Sequence, residues 1–163
     1  MHEVLRVTAC IALGANLGDP AQTVQQALQD LTTLPQTQVM RTSSLYRTAP
    51  LEATGPDFIN AVALVETALS PLALLHALQV LEAQAGRERP YRHAPRTLDL
   101  DLIFHGDAQL DTPELTLPHP RWQERAFVLQ PLAEICPERV TSTMLDAVRD
   151  QILERLHFRH SLN

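Results

Sequence analysis

Apolar spacing in this chain switches between the two-residue period of a strand and the 3.6-residue period of a helix. The order is β-α-β-β-α-β, the split βαβ or ferredoxin-like signature. Val4 to Ala15 is β-rich and mostly apolar, and runs into Gly14-Ala15-Asn16-Leu17-Gly18, read as a structural turn. Asp19-Pro20 then opens a helix, with Asp as N-cap and Pro at the first helical position. Val24, Ala27, Leu28 and Leu31 follow at helical spacing. A second strand is expected over Gln38 to Tyr46, a loop from Thr48 to Pro56, and an alternating third strand from Phe58 to Glu66. Ser70-Pro71 caps a second helix with Leu74, Leu78, Leu81 and Ala85 on one stripe, ended by Gly86. After a polar loop from Arg87 to Pro95, Thr97 to Phe104 is the fourth strand. The last third adds a hairpin around His105 to Leu117, a Pro-rich segment and a final helix near Met144 to Leu156. The expected architecture is α+β: a ferredoxin-like βαββαβ core with a C-terminal hairpin and helix extension. At 163 residues the chain, 1–163, is expected to form one domain.

Composition narrows the chemistry. All 13 basic residues are Arg, so P-loop, Schiff-base and pyridoxal-phosphate lysines are excluded together. With 5 glycines, of which only Gly14 and Gly18 lie close together, there is no G-x-G-x-x-G cradle. Phosphate handling would therefore fall to Arg and metal ions. A net charge of −6 argues against general binding to nucleic acid or anionic membranes. Cys10 and Cys136 are far apart and read as buried or free thiols, not a disulfide framework. Met1 to Arg6 does not read as a signal peptide, and no apolar run approaches the ~18 residues of a membrane span. A cytoplasmic protein is the expectation.

Four groups of residues carry possible chemistry. In a strand Asp99 and Asp101 share one face while Leu98, Leu100 and Leu102 share the other. Their Cα spacing of ~6.5–7 Å suits carboxylates that embrace one or two hard cations, and a charged, solvent-facing strand edge is the plainer alternative. Arg87, Arg89, Arg92 and Arg96 lie within ten residues, opposed only by Glu88. Guanidinium forks match phosphate oxygens, although such a run also serves as a solvated loop. Phe58 and Asn60 share a strand face, fit either to stack on and read a flat heteroaromatic ring or to be core. His119, locked between Pro118 and Pro120, suits a phosphate or ribose contact or a turn cap.

The segment Arg92-His93-Ala94-Pro95-Arg96-Thr97-Leu98-Asp99-Leu100-Asp101-Leu102-Ile103 resembles the signature of the 6-hydroxymethyl-7,8-dihydropterin pyrophosphokinase family. Four further segments are similar to family motifs and fall in family order. They are Leu13 to Gly18, Ser44 to Leu51, Asp57-Phe58-Ile59-Asn60, and Pro118-His119-Pro120 with Arg125-Ala126-Phe127. The resemblance implies diphosphate transfer from ATP to the pterin hydroxymethyl oxygen, with release of AMP, in folate biosynthesis. It implies two Mg²⁺ ions on Asp99 and Asp101, and Arg87 and Arg96 as the groups stabilising the transferring diphosphate. The pterin would lie between Phe58 and Phe127, with Asn60 on its edge and Thr48, Pro50 and Leu51 lining the pocket. Gln79, Glu82, Arg89, Arg92, Leu102, Thr116, His119 and Arg125 fall at positions associated with ATP. Gln79 and Glu82 are expected on the helix face opposite the Leu stripe. Glu114 stands where some members carry Arg. A monomer acting on ATP and the pterin, without nucleic acid or membrane, is the expectation. The remaining alternatives are an RNA-binding module on a ferredoxin-like sheet and a two-metal nuclease or phosphohydrolase.

Overall fold

The structure is a computed structural model and describes residues 5–50, 55–86 and 98–157. Its main sheet is antiparallel in all its pairings. Strand β1 (Val7–Ala15) sits between β5 (Asp99–His105) and β4 (Phe58–Thr67). Strands β2 (Thr37–Thr42) and β3 (Tyr46–Thr48) both pair with the far side of β4, and β8 (Leu153–Arg155) pairs with β3. Helices α1 (Pro20–Asp30) and α2 (Pro71–Ala85) supply the two crossovers, which completes the expected ferredoxin-like core. Both helices start where their caps dictate. Asp19 Oδ1 accepts from Gln22 N–H at 3.2 Å, and Ser70 Oγ accepts from Ala73 N–H at 3.2 Å.

Each face of the sheet has its own core. On one side Ile11, Leu13, Ile59, Ala61 and Val65 pack with Val24, Leu31, Leu74, Leu78 and Leu81 of the α1–α2 layer. On the other, Cys10, Val62, Leu64 and Phe104 pack against Val128, Leu129 and Leu132 of α3 (Ala126–Ile135). Cys10 and Cys136 are both free and buried.

Several sequence expectations change here. Strand β4 does not alternate: Ile59 through Val65 are all buried, because helices cover both of its faces. The second strand is broken in two at residues 43–45. There Ser43 N–H still donates to the Val62 carbonyl at 2.8 Å, but its side-chain Oγ, in place of its carbonyl, accepts from Val62 N–H at 2.9 Å. Gly14 belongs to β1, so the turn beyond it holds only Gly18, at φ +64°. Helix α3 received no assignment from sequence, since Pro131 lies inside it. The helix expected over Met144 to Leu156 is a short α4 (Ser142–Ala147) followed by β8. Ile152, within the expected helix, is 79% exposed, and pairing of Leu153–Arg155 with the edge of β3 overrides the local preference. The expected hairpin is present as β6 (Leu110–Asp111) and β7 (Thr116–Leu117).

Candidate active site

Helix α3 covers only part of its sheet face. Beyond it, the ends of β1, β4 and β5 form the floor of an open cavity of about 780 Å³. Strand register decides what that floor carries. Gly14 pairs with Asn60 on one side and Asp99 on the other, so Asn60, Gly14 and Asp99 form one rung facing the cavity. Asp101 stands two residues along the same face, opposite Ala12. Thr48 pairs with Phe58, which brings β3 to the same corner. Arg121, Glu124, Arg125 and Phe127 close the opposite wall, together with Gln151.

The polar atoms are held in place. Asn60 is 5% exposed and its Nδ2 donates to Thr48 Oγ1 at 2.9 Å, which leaves Oδ1 on the Gly14 side. A Cβ at residue 14 would stand 2.9 Å from that oxygen, so glycine is what makes room for it. The Arg125 guanidinium lies 5.5 Å from the centroid of the Phe127 ring. His119 N–H donates to the Ile103 carbonyl at 2.7 Å, tying the Pro118-His119-Pro120 turn to β5. Its Nδ1 accepts from Arg121 N–H at 3.1 Å, so the neutral ring carries its proton on Nε2. Burial holds the imidazole pKa below its ordinary value. Asp101 opposes that shift, and Arg125 and Arg121 add to it.

Asp99 and Asp101 are both exposed on the cavity face. Among the described residues no group of three or more His, Cys, Asp or Glu side chains converges as a metal cage. Two carboxylates open to solvent are a poor donor set for Zn²⁺ and a good one for Mg²⁺, which fills its octahedron with waters and phosphate oxygens.

A profile of the family described as 7,8-dihydro-6-hydroxymethylpterin-pyrophosphokinase (HPPK) matches residues 10–137. The chain belongs to this family. It is 47% identical over 129 residues to the 2-amino-4-hydroxy-6-hydroxymethyldihydropteridine pyrophosphokinase of Pseudomonas aeruginosa, covering 78% of this chain and 80% of that one. The Haemophilus influenzae protein of the same name is 44% identical over 135 residues, with 82% and 84% covered. Among solved structures, Plasmodium falciparum HPPK-DHPS with pteroate superposes with a TM-score of 0.67 over 92% of this chain and 43% of that one. At 15% identity that is a likeness of fold.

Against that HPPK background, the cavity gathers Thr48, Pro50, Phe58, Asn60, Asp99, Asp101, Arg125 and Phe127 from the residues singled out by sequence. Gln79, Glu82, Leu102, Thr116 and His119 lie outside its lining. The Leu102 side chain is 3% exposed in the α1–α2 core, so only its backbone is available to a ligand. Gln79 is exposed on α2. Glu82 is not on the face opposite the Leu stripe: it flanks that stripe and its Oε2 accepts from Leu100 N–H at 2.8 Å, between the two aspartates. Glu114 reaches back to α2, 3.2 Å from His76 Nε2. Leu51, Arg87, Arg89, Arg92 and Arg96 lie outside the described residues.

Arg121, Glu124 and Gln151 also line the cavity, and none of them stands in a motif of its own. Arg121 and Glu124 are spaced between His119 and Arg125, and that position was their only clue. Gln151 arrives from the far end of the chain through a tertiary contact, which no local pattern announces.

Proposed function

We infer that this chain transfers a diphosphate group from ATP to the hydroxymethyl oxygen of 6-hydroxymethyl-7,8-dihydropterin, giving the pterin diphosphate and AMP in folate biosynthesis. The observation that carries the reading is the shared rung of Asn60, Gly14 and Asp99. An amide suited to reading a ring edge and a carboxylate suited to holding a metal thus stand on one cavity floor, on either side of Gly14. Phe58 and Phe127 flank that floor and are the two rings between which a flat pterin would stack. Asn60 Oδ1 then accepts from a ring N–H, with the amide orientation fixed by Thr48.

ATP-dependent transfer of this kind works with a divalent metal, and Asp99 with Asp101 would hold it; we assign two Mg²⁺ ions. Bound there, the ions supply positive charge to the phosphate oxygens. The chain's own contribution is positioning and charge. Arg125 offers a guanidinium on the cavity wall, stacked near the Phe127 ring, and His119, outside that lining, carries a neutral Nε2–H donor. Arg87 and Arg96 are assigned to the transferring group by their place in the family motif. Gln79, Glu82, Arg89, Arg92, Leu102, Thr116, His119 and Arg125 are assigned to ATP in the same way, and Leu51 to the pterin pocket. Attack by the pterin hydroxyl on the β-phosphorus then breaks the bond to the α-phosphate oxygen, which leaves as AMP.

We take residues 1–163 as one pyrophosphokinase domain acting as a cytoplasmic monomer, without nucleic acid or membrane partners. No helix among the described residues is long and apolar enough to cross a membrane. Incubation with MgATP and 6-hydroxymethyl-7,8-dihydropterin tests the activity. AMP and pterin diphosphate in equal amounts are expected. Inorganic phosphate or pyrophosphate with unmodified pterin would instead identify a hydrolase.

A further inference from the structure

Helix α3 carries Phe127 in its first turn, yet its N-cap residue, Arg125, makes no side-chain capping bond. The cap comes from elsewhere. Gln151 Oε1 accepts from Ala126 N–H at 2.9 Å, and its Nε2 donates to the Glu124 carbonyl at 2.9 Å. One amide thus grips the backbone immediately before and immediately after Arg125. That residue is extended, at φ −123° and ψ 111°, between the short 3₁₀ turn Trp122–Glu124 and α3. Without the grip this junction would have an orphan N–H and an orphan carbonyl at the cavity wall.

Gln151 is itself anchored. Its N–H donates to the Val148 carbonyl at 2.9 Å, and Val148 is 4% exposed in the α3 core. Two residues further on, Leu153 pairs with Thr48, the residue that orients Asn60. The C-terminal segment therefore touches both walls of the cavity.

We propose that Gln151 is a positioning residue, which fixes the direction of Arg125 and Phe127 by clamping the backbone on either side of Arg125. This rests on the pyrophosphokinase reading of the cavity. A residue of this kind acts through geometry, and displacing a substrate-positioning group by about 1 Å costs up to ~100-fold in rate.

The test uses Gln151→Met, which conserves volume and removes both hydrogen bonds. Its pterin and ATP KM values and kcat are measured beside those of wild type, Phe127→Ala and the double variant, with thermal melts of all four. The Met variant is expected to lose on the order of 10-fold or more in kcat/KM, mainly through the pterin KM. In the Phe127→Ala background the same change should cost less, because one of the two groups it positions is gone. Unchanged KM values, or losses that simply multiply in the double variant, would overturn the proposal even if Tm falls. Should the Met variant fail to fold, the same comparisons apply to Gln151→Glu, which keeps the acceptor for Ala126 N–H and loses the donor to Glu124. An inactive wild type would instead refute the functional reading, so the two failures are distinguishable.

Discussion

Gly14 and Asn60 face each other across β1 and β4, so closely that a Cβ on Gly14 would stand 2.9 Å from Asn60 Oδ1. Asn60 cannot yield freely, because its other amide atom is tied to Thr48 and the residue is buried. Gly14→Ala should therefore push the amide off its present aim. A stability loss of about 1–2 kcal/mol is expected from the overpacking. Pterin affinity should fall more than ATP affinity, which separate titrations would show.

The Thr48 hydroxyl is the second half of that arrangement. Thr48→Val keeps the shape and leaves a buried Asn60 N–H without a partner, costing about 1–3 kcal/mol. A raised pterin KM with little change in ATP KM is the expected kinetic signature. An equal rise in both would place Asn60 outside the pterin subsite.

A cluster at the far end of α3 gives a pH dependence. Glu134 accepts from Tyr46 O–H at 2.7 Å, from Ser44 N–H at 3.0 Å and from Ser44 O–H at 2.9 Å, and pairs with Arg155 at 3.2 Å. Burial alone would raise its pKa, but the Tyr46 and Ser44 hydrogen bonds and the Arg155 charge outweigh it and hold the carboxylate below its ordinary range. A depressed folded pKa means stability that is present at neutral pH. It is lost as pH falls below the ordinary glutamate value of about 4.3. Wild type should thus lose stability between about pH 4.3 and lower pH more steeply than Glu134→Gln, as followed by denaturant melts at several pH values. Parallel curves would contradict the assignment.

His119 should titrate below an ordinary imidazole, because burial disfavours its charged form more than Asp101 favours it. NMR titration of the ring protons reads this directly. In Asp101→Asn the midpoint should fall further, since the opposing negative charge is removed; an unchanged midpoint would mean the two groups are not coupled.

Much of this was legible in the sequence, and what was not has a common physical cause. The caps Asp19 and Ser70, the stripe Leu74-Leu78-Leu81 and the acidic face of Asp99 and Asp101 are local patterns, and each reappears in the fold. The misread elements are those decided by distant neighbours. A helix was expected through Met144 to Leu156, but the edge of β3 pairs with residues 153–155 and draws them into the sheet. Pro131 masked α3, although burial of Val128, Leu129 and Leu132 holds that helix together. Gly14 read as part of a turn, because a glycine required by Asn60, 46 residues away in sequence and opposite in the sheet, leaves no local mark. Gln151 was invisible for the same reason: its partners are 25 and 27 residues distant.

On the proposed reading, Asp99 and Asp101, on one face of β5, make this cavity a site of metal-dependent diphosphate transfer. The most direct measurement is the yield of AMP and pterin diphosphate from MgATP and 6-hydroxymethyl-7,8-dihydropterin, compared for wild type, Asp99→Ala and Asp101→Ala. Each variant is first shown by circular dichroism to be folded. Equimolar products from wild type and none above background from either variant are the expected result. Near-normal turnover in both variants would contradict the account.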